Sequence, residues 1–479
     1  MEKSKWVTPL VKQCFVTLGV SLNMSSHGVV MGFPSILLPQ LMVPHSTIPI
    51  DMSSGSWIAS ATGITLLVGN VLLPIVMARF GRKNANLISL VIIIIGWVCI
   101  IIASNIPTLI FGRLLQGLSL GMSASLGSVL IGEYTSPRNR GAFLASISFA
   151  FTIGVLIVHM FGTFLSWKIT ALICTFITFV NLIIVIYSPE SPSWLINKER
   201  YNEGQKVFRW LRGEEEEEEL RKIIGAKMAE MKSEGVEEHK KISQILKEQA
   251  AYLQITMRKA EFYKPVLIMV HLYALGQWSG ANILAAYTED VYRKIIGNDV
   301  NVGPIVIGVD VQRIVSNGIA IFVIKKVRRR TVLAVTTGMN VLAYLITAAY
   351  CYAKEQNMIS FHSIVGIVLI HIHMISIGAG TVPLPFIIAG ELFPLNFRGL
   401  AGGISVLSMS INLFLTVKTF PFLLTSLGLY GTYCLYASIV FYCLVIALLF
   451  LPETKDRTLK DIEDDLKGNR DPPDDIKLT

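Results

Sequence analysis

Two ten-residue stretches decide the fold of this chain: GEYTSPRNRG at residues 132–141 and GELFPLNFRG at residues 390–399. In each stretch a glutamate (Glu133 or Glu391) follows the first glycine, an arginine stands seven positions after it, and a second glycine comes next. A Pro-Glu pair then ends 57 positions after the glutamate in the first half and 62 positions after it in the second. Because the order and the spacing repeat, the sequence predicts two homologous halves in parallel orientation.

Apolar residues dominate the chain outside these motifs. Residues of the AVILMFWYC set make up 52% of the 479 residues, charged residues make up 16%, and the mean hydropathy is +0.57. Soluble domains carry about 25% charged residues, so this composition excludes a soluble multidomain enzyme, a disordered chain and a secreted disulfide scaffold. Twelve apolar stretches are long enough to cross the membrane as helices: 11–38, 56–78, 85–103, 108–131, 142–165, 167–188, 264–288, 302–324, 331–352, 361–390, 400–426 and 430–451. The predicted fold class is an all-α membrane protein with twelve transmembrane helices in two pseudo-symmetric six-helix bundles.

These stretches divide the chain into four parts. We predict an N-terminal six-helix bundle at 1–188, a cytoplasmic helical linker at 189–262, a C-terminal six-helix bundle at 263–452 and a cytoplasmic tail at 453–479. Lysine and arginine are concentrated in alternate short loops, which marks those loops and both termini as cytoplasmic. The net charge of +9 therefore favours anionic lipid headgroups of the bilayer over nucleic acid as the partner. We expect the plasma membrane as the location and no cleaved signal peptide.

The charges of the repeated motifs predict a group of ion pairs that controls a change of conformation. Glu133 and Glu391 close apolar spans at the cytoplasmic level, and ion pairs there can hold the two halves together in one state and release them in another. The predicted inner latch consists of eight residues: Arg79, Arg82, Arg113, Glu133, Arg140, Arg329, Glu391 and Arg398. The alternative is that these residues are ordinary interfacial charges that fix the topology.

Nine segments, in order along nearly the whole chain, carry a family resemblance. They are RFGRKN (79–84), GRLLQGLSLG (112–121), GEYTSPRNRG (132–141), PESPSWL (189–195), QWSGAN (277–282), PLPF (383–386), GELFPLNFRG (390–399), KTF (418–420) and PETKDRT (452–458). With these segments the chain resembles the sugar-porter branch of the major facilitator superfamily, especially its insect trehalose and glucose carriers. The resemblance implies twelve helices in two bundles, a cytoplasmic helical segment between them and a central substrate cavity.

Polar side chains inside apolar spans are candidate cavity residues, because a polar group in a bilayer that is neither paired nor facing water is costly. A sugar needs amides and hydroxyls for hydrogen bonds and an aromatic face for its C–H side. Gln277 and Asn282 lie on the seventh span, and the resemblance implies that both contact substrate. The alternative for this pair is hydrogen bonding between helices. On the tenth span Pro383 and Pro385 interrupt the helix and predict a flexible gate beside Phe386, the expected aromatic wall.

The chain departs from the resembled family at several sugar contacts. Ser148 on the fifth span, a candidate substrate contact, stands where the family has a glutamine, and Phe386 replaces a tryptophan. On the eighth span Asp310 and Arg313 are three residues apart, so they share one helix face and can neutralise each other. Arg313 occupies the position of an uncharged amide in the family. It therefore either contacts a more polar or anionic substrate or forms a structural ion pair.

The predicted function is passive, alternating-access transport of a sugar such as trehalose or a hexose. The first span has no carboxylate where proton symporters of the resembled family place an aspartate, and His27 is the one titratable side chain of LNMSSHGVVMGF. Asp310 leaves a proton-coupled sugar symporter open, and a carrier of another small polar solute and a non-transporting sugar sensor are further alternatives. Because we find no nucleophile–base arrangement, metal-ligand spacing or nucleotide loop, we expect no enzymatic activity, metal or cofactor. The oligomeric state stays open.

Overall fold

The computed structural model describes residues 8–43, 45–213, 216–234, 256–297, 299–358, 362–393, 398–455, 457 and 459–467, and every regular element in these residues is a helix. The helices of the first half are α1 (Pro9–Gly32), α2 (Pro34–Leu41), α3 (Met52–Phe80), α4 (Arg82–Ile101), α5 (Ile106–Tyr134), α6 (Pro137–Phe164) and α7 (Trp167–Tyr187). Three helices follow: α8 (Pro192–Asn197), α9 (Tyr201–Arg212) and α10 (Glu217–Glu234). The later helices are α11 (Ala260–Trp278), α12 (Ala281–Ala286), α13 (Thr288–Ile296), α14 (Val302–Lys326), α15 (Arg329–Glu355), α16 (Ser363–Ser376), α17 (Pro383–Leu392), α18 (Arg398–Ser426), α19 (Gly428–Phe450) and α20 (Leu459–Lys467). Residues 235–255 of the predicted linker and 468–479 of the predicted tail lie outside the described residues.

Within the described residues, 11 helices or helix pairs are long and apolar enough to cross a membrane. Six of them precede residue 189, and the other five follow residue 300. The first combines α1 with α2, and the ninth combines α16 with α17. The all-helical architecture predicted from the sequence is therefore confirmed, and the predicted seventh span is the one that differs.

The predicted span at 264–288 is not a continuous helix. The helix α11 ends at Trp278, and the chain passes through Gly280 into the short helices α12 and α13. Gly280 has a φ of 99°, a left-handed conformation that residues with a Cβ rarely adopt. A Cβ at this position would also stand 2.6 Å from the hydroxyl oxygen of Tyr344. The prediction of an unbroken span is wrong, because the backbone turns sharply at this glycine.

Each half packs as a bundle of its own. In the first, α3 lies against α5 and α1 lies against α6; in the second, α11 packs on α18 and α19, and α15 packs on α19. Two glycines of GRLLQGLSLG let α5 approach α3, since a Cβ at Gly117 or Gly121 would collide with the carbonyl oxygen of Thr62 or Leu66. These glycines therefore serve close helix packing.

The helices after the first bundle pack on one end of it. Arg212, the last residue of α9, is 6% exposed, and its guanidinium donates to the carbonyl oxygens of Gly132 at 3.4 Å and Glu133 at 3.2 Å. Because carbonyl groups at the C-terminal end of a helix carry partial negative charge, a cation is favourable there. Arg212 also pairs with two glutamates of the run at 214–219, so this run is partly ion-paired and not only a solvated face.

Candidate functional site

The two repeated motifs lie at one end of the bundles, which we call the motif end; the other is the opposite end. Three hydrogen bonds between described residues join the two bundles, connecting α3 with α18 and α6 with α14. They are Lys418 Nζ to Ser56 Oγ at 2.7 Å, His159 Nδ1 to Asp310 Oδ2 at 2.5 Å, and Asn317 Nδ2 to Thr152 Oγ1 at 2.8 Å. The first two bonds join the halves of these helices that lie nearer the opposite end, and the third lies near the middle of α6 and α14. Among the described residues, the hydrogen bonds between the bundles are therefore confined to the opposite end and the middle, and none joins the bundles at the motif end.

The two predicted amide residues of the seventh span meet across the break at Gly280. Asn282 Nδ2 donates to Gln277 Oε1 at 2.5 Å, and both side chains are half-buried. The amide nitrogen of Gln277 and the amide oxygen of Asn282 make no further hydrogen bond with a residue that the structure describes. A polyol can accept from the first group and donate to the second. The two residues predicted from the sequence thus lie together and offer a solute one donor, the Gln277 amide nitrogen, and one acceptor, the Asn282 amide oxygen.

The backbone of this break is held by side chains of neighbouring helices. The carbonyl oxygen of Ser279 accepts hydrogen bonds from Asn340 Nδ2 at 3.1 Å and from His373 Nε2 at 3.0 Å. The carbonyl oxygen of Trp278 accepts from Tyr344 Oη at 3.0 Å. An unpaired carbonyl inside a membrane is costly, so these three donors stabilise the broken helix. The amide pair consequently sits on a backbone that is fixed on both sides of the turn.

An indole and a third amide stand beside this pair, and the sequence analysis missed both. Trp278 Nε1 donates to Asn412 Oδ1 at 2.9 Å, and the Trp278 ring lies 4.8 Å from the ring of Tyr436 in an edge-on arrangement. Asn412 is a polar side chain within the apolar helix α18, so the criterion that selected Gln277 applies to it equally. An indole combines an aromatic face with a hydrogen-bond donor. The two residues add both kinds of group that a sugar site needs.

The tenth span is interrupted at the predicted place. A π-helical turn at Ile377–Thr381 separates α16 from α17, and Pro383 is the first residue of α17. Because the first N–H groups of a helix lack partners in that helix, Pro383 and Pro385 cost no hydrogen bond there. Phe386 follows in α17 with 53% of its surface exposed, and its ring lies 5.6 Å from that of Tyr273 on α11. Phe386 thus lies next to the seventh span, and the gating role of the prolines stays a prediction.

Ser148 lies on the face of α6 that is turned toward the second bundle. Thr152, one turn further along α6, donates to the carbonyl oxygen of Ser148 at 3.0 Å and accepts from Asn317 of the second bundle. Residues four apart on a helix share a face, and Ser148 is exposed. Ser148 therefore borders the space between the bundles, one helical turn from Thr152 toward the motif end.

Asp310 and Arg313 do not form a direct salt bridge. Asp310 instead binds His159 of the first bundle, and the two side chains are 4% and 2% exposed. Arg313 interacts electrostatically with Asp310 and Tyr292 but makes no hydrogen bond with a residue in the described part of the chain. A contact between Arg313 and substrate stays a prediction.

The first motif forms a cluster at the motif end. Arg82 binds Glu133 through two nitrogen atoms, with Nη2 at 3.0 Å from Oε1 and Nε at 3.1 Å from Oε2, and Ser191 donates to the same carboxylate. Glu190 Oε1 accepts from the backbone N–H groups of Arg82 at 2.9 Å and Lys83 at 3.0 Å. A carboxylate at this position caps the N-terminal end of α4 and is favoured by the helix dipole. The cluster ties together α4, α5 and the chain that enters α8.

The second motif repeats this arrangement. Arg329 Nη2 lies 2.9 Å from Glu391 Oε1, and Thr454 Oγ1 donates to Glu391 Oε2 at 2.6 Å. Glu453 Oε1 accepts from the backbone N–H group of Arg329 at 2.9 Å, which caps α15 as Glu190 caps α4. The two motifs are therefore equivalent in three dimensions, in agreement with the repeat in the sequence.

The remaining latch residues lie outside these ion pairs. Arg140 makes one long contact, from Nη2 to the carbonyl oxygen of Thr135 at 3.5 Å, and its Nε is buried without a partner among the described residues. Arg79 joins neither cluster, and its guanidinium lies 5.4 Å from the ring centre of Phe80. The side chain of Arg398 lies outside the described residues. Each motif ion pair forms within its own bundle, and no hydrogen bond between described residues joins the two bundles at this end, so a latch between the bundles stays a prediction.

Arg113 does not lie at the motif end. It precedes Glu133 by 20 positions in α5, which is about 30 Å along a helix. Its guanidinium is buried and donates to the carbonyl oxygens of Val30 at 2.8 Å and Ile58 at 3.2 Å and to Gln116 Oε1 at 2.9 Å. The assignment of Arg113 to the latch is wrong, because α5 runs from the opposite end to the motif end. Arg113 instead ties α1 and α3 to α5.

Comparison with known proteins identifies the family. The sequence profile described as "Sugar (and other) transporter" matches residues 14–466. The chain belongs to this transporter family. A relative named facilitated trehalose transporter, from Drosophila yakuba, is 28% identical over 95% of this chain, which spans only 52% of that relative's length. The relative of the same name from Apis mellifera ligustica is 26% identical over 87% of this chain and 80% of its own length.

Solved structures identify the fold of this family member. The inward-open form of the xylose transporter XylE from E. coli superposes with a TM-score of 0.74 at 18% identity, covering 95% of this chain and 99% of the other. Its partially occluded inward-open form gives 0.73 at 17% identity, covering 93% and 99%. The chain has the major facilitator fold, with two six-helix bundles. Its seventh span is the broken segment α11–α13.

Proposed function

We propose that this protein carries a sugar, trehalose or a hexose, passively across a membrane by alternating access. The observation that carries the proposal is the hydrogen-bonded pair of Gln277 and Asn282 at the break of the seventh span. Amides beside the aromatic side chains of Trp278 and Phe386 suit an uncharged polyol, which needs hydrogen bonds and an apolar face. Two relatives are named as facilitated trehalose transporters, which supports the same class of solute.

The proposed orientation places the motif end and both termini in the cytoplasm of the cell. Arginine and lysine of the short loops support it, since such residues are retained on the cytoplasmic side. In this orientation the bundles are joined toward the outer side of the membrane, and we propose that the space between them opens to the cytoplasm. We propose the plasma membrane as the location, because uptake of an external sugar requires a carrier there.

The proposed latch acts when the opposite end opens and the motif end closes. In that form, as in the present one, an ion pair holds each bundle together at this end: Arg82–Glu133 in the first and Arg329–Glu391 in the second. Arg140 retains a buried nitrogen without a described partner. We propose that Arg140 finds its acceptor on the second bundle in the closed form, as part of a small free-energy bias between two packings.

A proton-coupled sugar symporter is the second candidate function. It is favoured by one observation, the buried pair of titratable side chains His159 and Asp310 between the two bundles. An ionisable pair inside a membrane is by default a candidate for ion or proton transfer. We prefer passive transport because the first span has no carboxylate where proton symporters of the resembled family place an aspartate.

Uptake of radiolabelled trehalose and glucose by cells that express the protein tests the proposed solute. We expect saturable uptake, and Gln277→Ala should raise the half-saturating concentration about fivefold, because one hydrogen bond contributes about 1 kcal/mol. The matched control is Gln312→Ala, since Gln312 Nε2 donates to the carbonyl oxygen of His371 within the second bundle. An unchanged affinity in Gln277→Ala would show that the site is misplaced. No uptake of either sugar, with the protein at the surface, would favour another solute or a sensor.

A further inference from the structure

A pair of titratable side chains crosses from one bundle to the other inside the protein. His159 on α6 and Asp310 on α14 approach to 2.5 Å, with 2% and 4% of their side chains exposed. The other salt bridges between described residues each stay within one bundle or its flanking segments. This pair is therefore the one salt bridge in the described part of the chain that depends on how the two bundles are placed.

The pair lies where the bundles are closed. Four residues beyond His159 on α6, Thr163 is in contact with the start of α14, since a Cβ at Gly303 would stand 2.5 Å from Thr163 Cγ2. Toward the middle of the same helices, Asn317 binds Thr152. The helices α6 and α14 thus touch from their middle to the opposite end. Any opening at that end has to separate them and break the bond between His159 and Asp310.

We propose that the His159–Asp310 bond is a gate that holds the opposite end closed and sets the balance between the two open forms. In the closed interface each partner is buried, and removal of one leaves the other without its hydrogen bond in a medium of low dielectric constant, which is strongly unfavourable. Once the interface opens, both side chains meet water and no longer depend on each other. Loss of either partner therefore destabilises the closed form alone and shifts the balance toward opening at the opposite end.

A second contact across the bundles limits the size of this shift. Lys418 on α18 donates to Ser56 Oγ, and its ammonium nitrogen lies 3.9 Å from the ring centre of Trp57 on α3. Hydrogen bonding and a cation–π interaction both stabilise this second interface. Removal of the His159–Asp310 bond should therefore shift the equilibrium without locking the protein open.

Thiol labelling at the closed interface measures this shift. The reporter is Ser60→Cys in a chain whose six cysteines are replaced, because Ser60 is 1% exposed and lines a small cavity between the bundles with Leu413 and Val417. A membrane-impermeant maleimide is added on the side that the opposite end faces. His159→Ala and Asp310→Ala remove this hydrogen bond and should each raise the labelling rate about tenfold or more, the factor that a hydrogen bond to a charged group contributes.

A matched control and a rescue variant make the outcome specific. His371→Ala is the control, because His371 binds Gln312 on the same helix as Asp310 but within one bundle. The exchanged variant His159→Asp with Asp310→His should return the labelling rate toward that of the parent. Unchanged labelling in His159→Ala and Asp310→Ala, or an equal rise in His371→Ala, would overturn the proposal. Melting curves confirm that each variant folds, and His159→Ala alone decides if Asp310→Ala does not fold.

The inference rests on alternating access but not on the identity of the solute. Labelling of Ser60→Cys requires no sugar, so a rise in labelling without any sugar uptake would overturn the proposed solute and leave the gate supported. Saturable sugar uptake with unchanged labelling would overturn the gate and leave the proposed function supported.

Discussion

Replacement of Gly280 by alanine tests whether the break in the seventh span positions the solute site. The φ of 99° at Gly280 costs about 1–2 kcal/mol for a residue with a Cβ. The new methyl group would also stand 2.6 Å from the hydroxyl oxygen of Tyr344 and 3.1 Å from His373 Cε1. Tyr344 donates to the carbonyl oxygen of Trp278, and loss of this hydrogen bond costs about 0.5–1.5 kcal/mol more.

The sum is a destabilisation of about 1.5–3.5 kcal/mol. For a cooperative unit of the size of one bundle, each kcal/mol lowers the melting temperature by about 2–4 °C, so Gly280→Ala should melt about 3–14 °C lower. The matched control is Gly276→Ala, one turn earlier in the same span. A Cβ at Gly276 would meet only the carbonyl oxygen of Thr381 at 3.8 Å, an ordinary contact, and this glycine lacks a positive φ.

Thermal unfolding of the purified protein and sugar uptake by proteoliposomes measure the two consequences together. Gly280→Ala should also displace Gln277 from Asn282, so the half-saturating sugar concentration should rise along with the fall in melting temperature. Gly276→Ala should leave both close to the parent values. Equal melting of the two variants would refute the conclusion that the left-handed backbone at Gly280 holds the site.

Two other substitutions test the motif clusters and the aromatic side of the cavity. Arg82→Ala leaves Glu133 without its cation and should lower the melting temperature. Arg79→Ala is the control and should lower it less, because Arg79 joins neither cluster. Equal melting curves of the two variants would contradict the structural role of the ion pair. Asn412→Ala removes the acceptor of the Trp278 indole and should raise the half-saturating sugar concentration about fivefold in uptake assays. An unchanged value would place Asn412 outside the site.

The charged residues of the motif clusters could be selected from the sequence because their motif is repeated in the two halves. Arg82 with Glu133 and Arg329 with Glu391 stand at equivalent positions of two homologous halves, and the repeat selected these charges as one set without indicating which of them form pairs. The Gln277 amide could be selected for a different reason, since a polar side chain inside an apolar span needs either a partner or a cavity. The same reason applies to Asn412, a polar side chain within the apolar helix α18.

The remaining features depend on packing and backbone geometry in three dimensions, which the spacing of residues along the chain does not determine. Asp310 has Arg313 on its own helix face, yet its partner is His159, 151 positions away, because the packing of the bundles decides which helix turns meet. Arg113 belongs to GRLLQGLSLG, one of the segments that carry the family resemblance, but the direction of α5 decides the end at which it lies. Gly280 in an apolar stretch is compatible with close helix packing and with a left-handed turn, and only the backbone angle distinguishes the two.

Steady-state accumulation of labelled trehalose and glucose in proteoliposomes, under an imposed pH difference of about one unit, tests passive sugar transport most directly. A carrier that moves one proton with each sugar can concentrate the sugar up to about tenfold, because one pH unit corresponds to about 1.4 kcal/mol. Passive transport predicts equal concentrations on the two sides, reached by saturable entry that Gln277→Ala weakens. Accumulation that follows the pH difference would contradict passive transport and would favour the proton-coupled symporter.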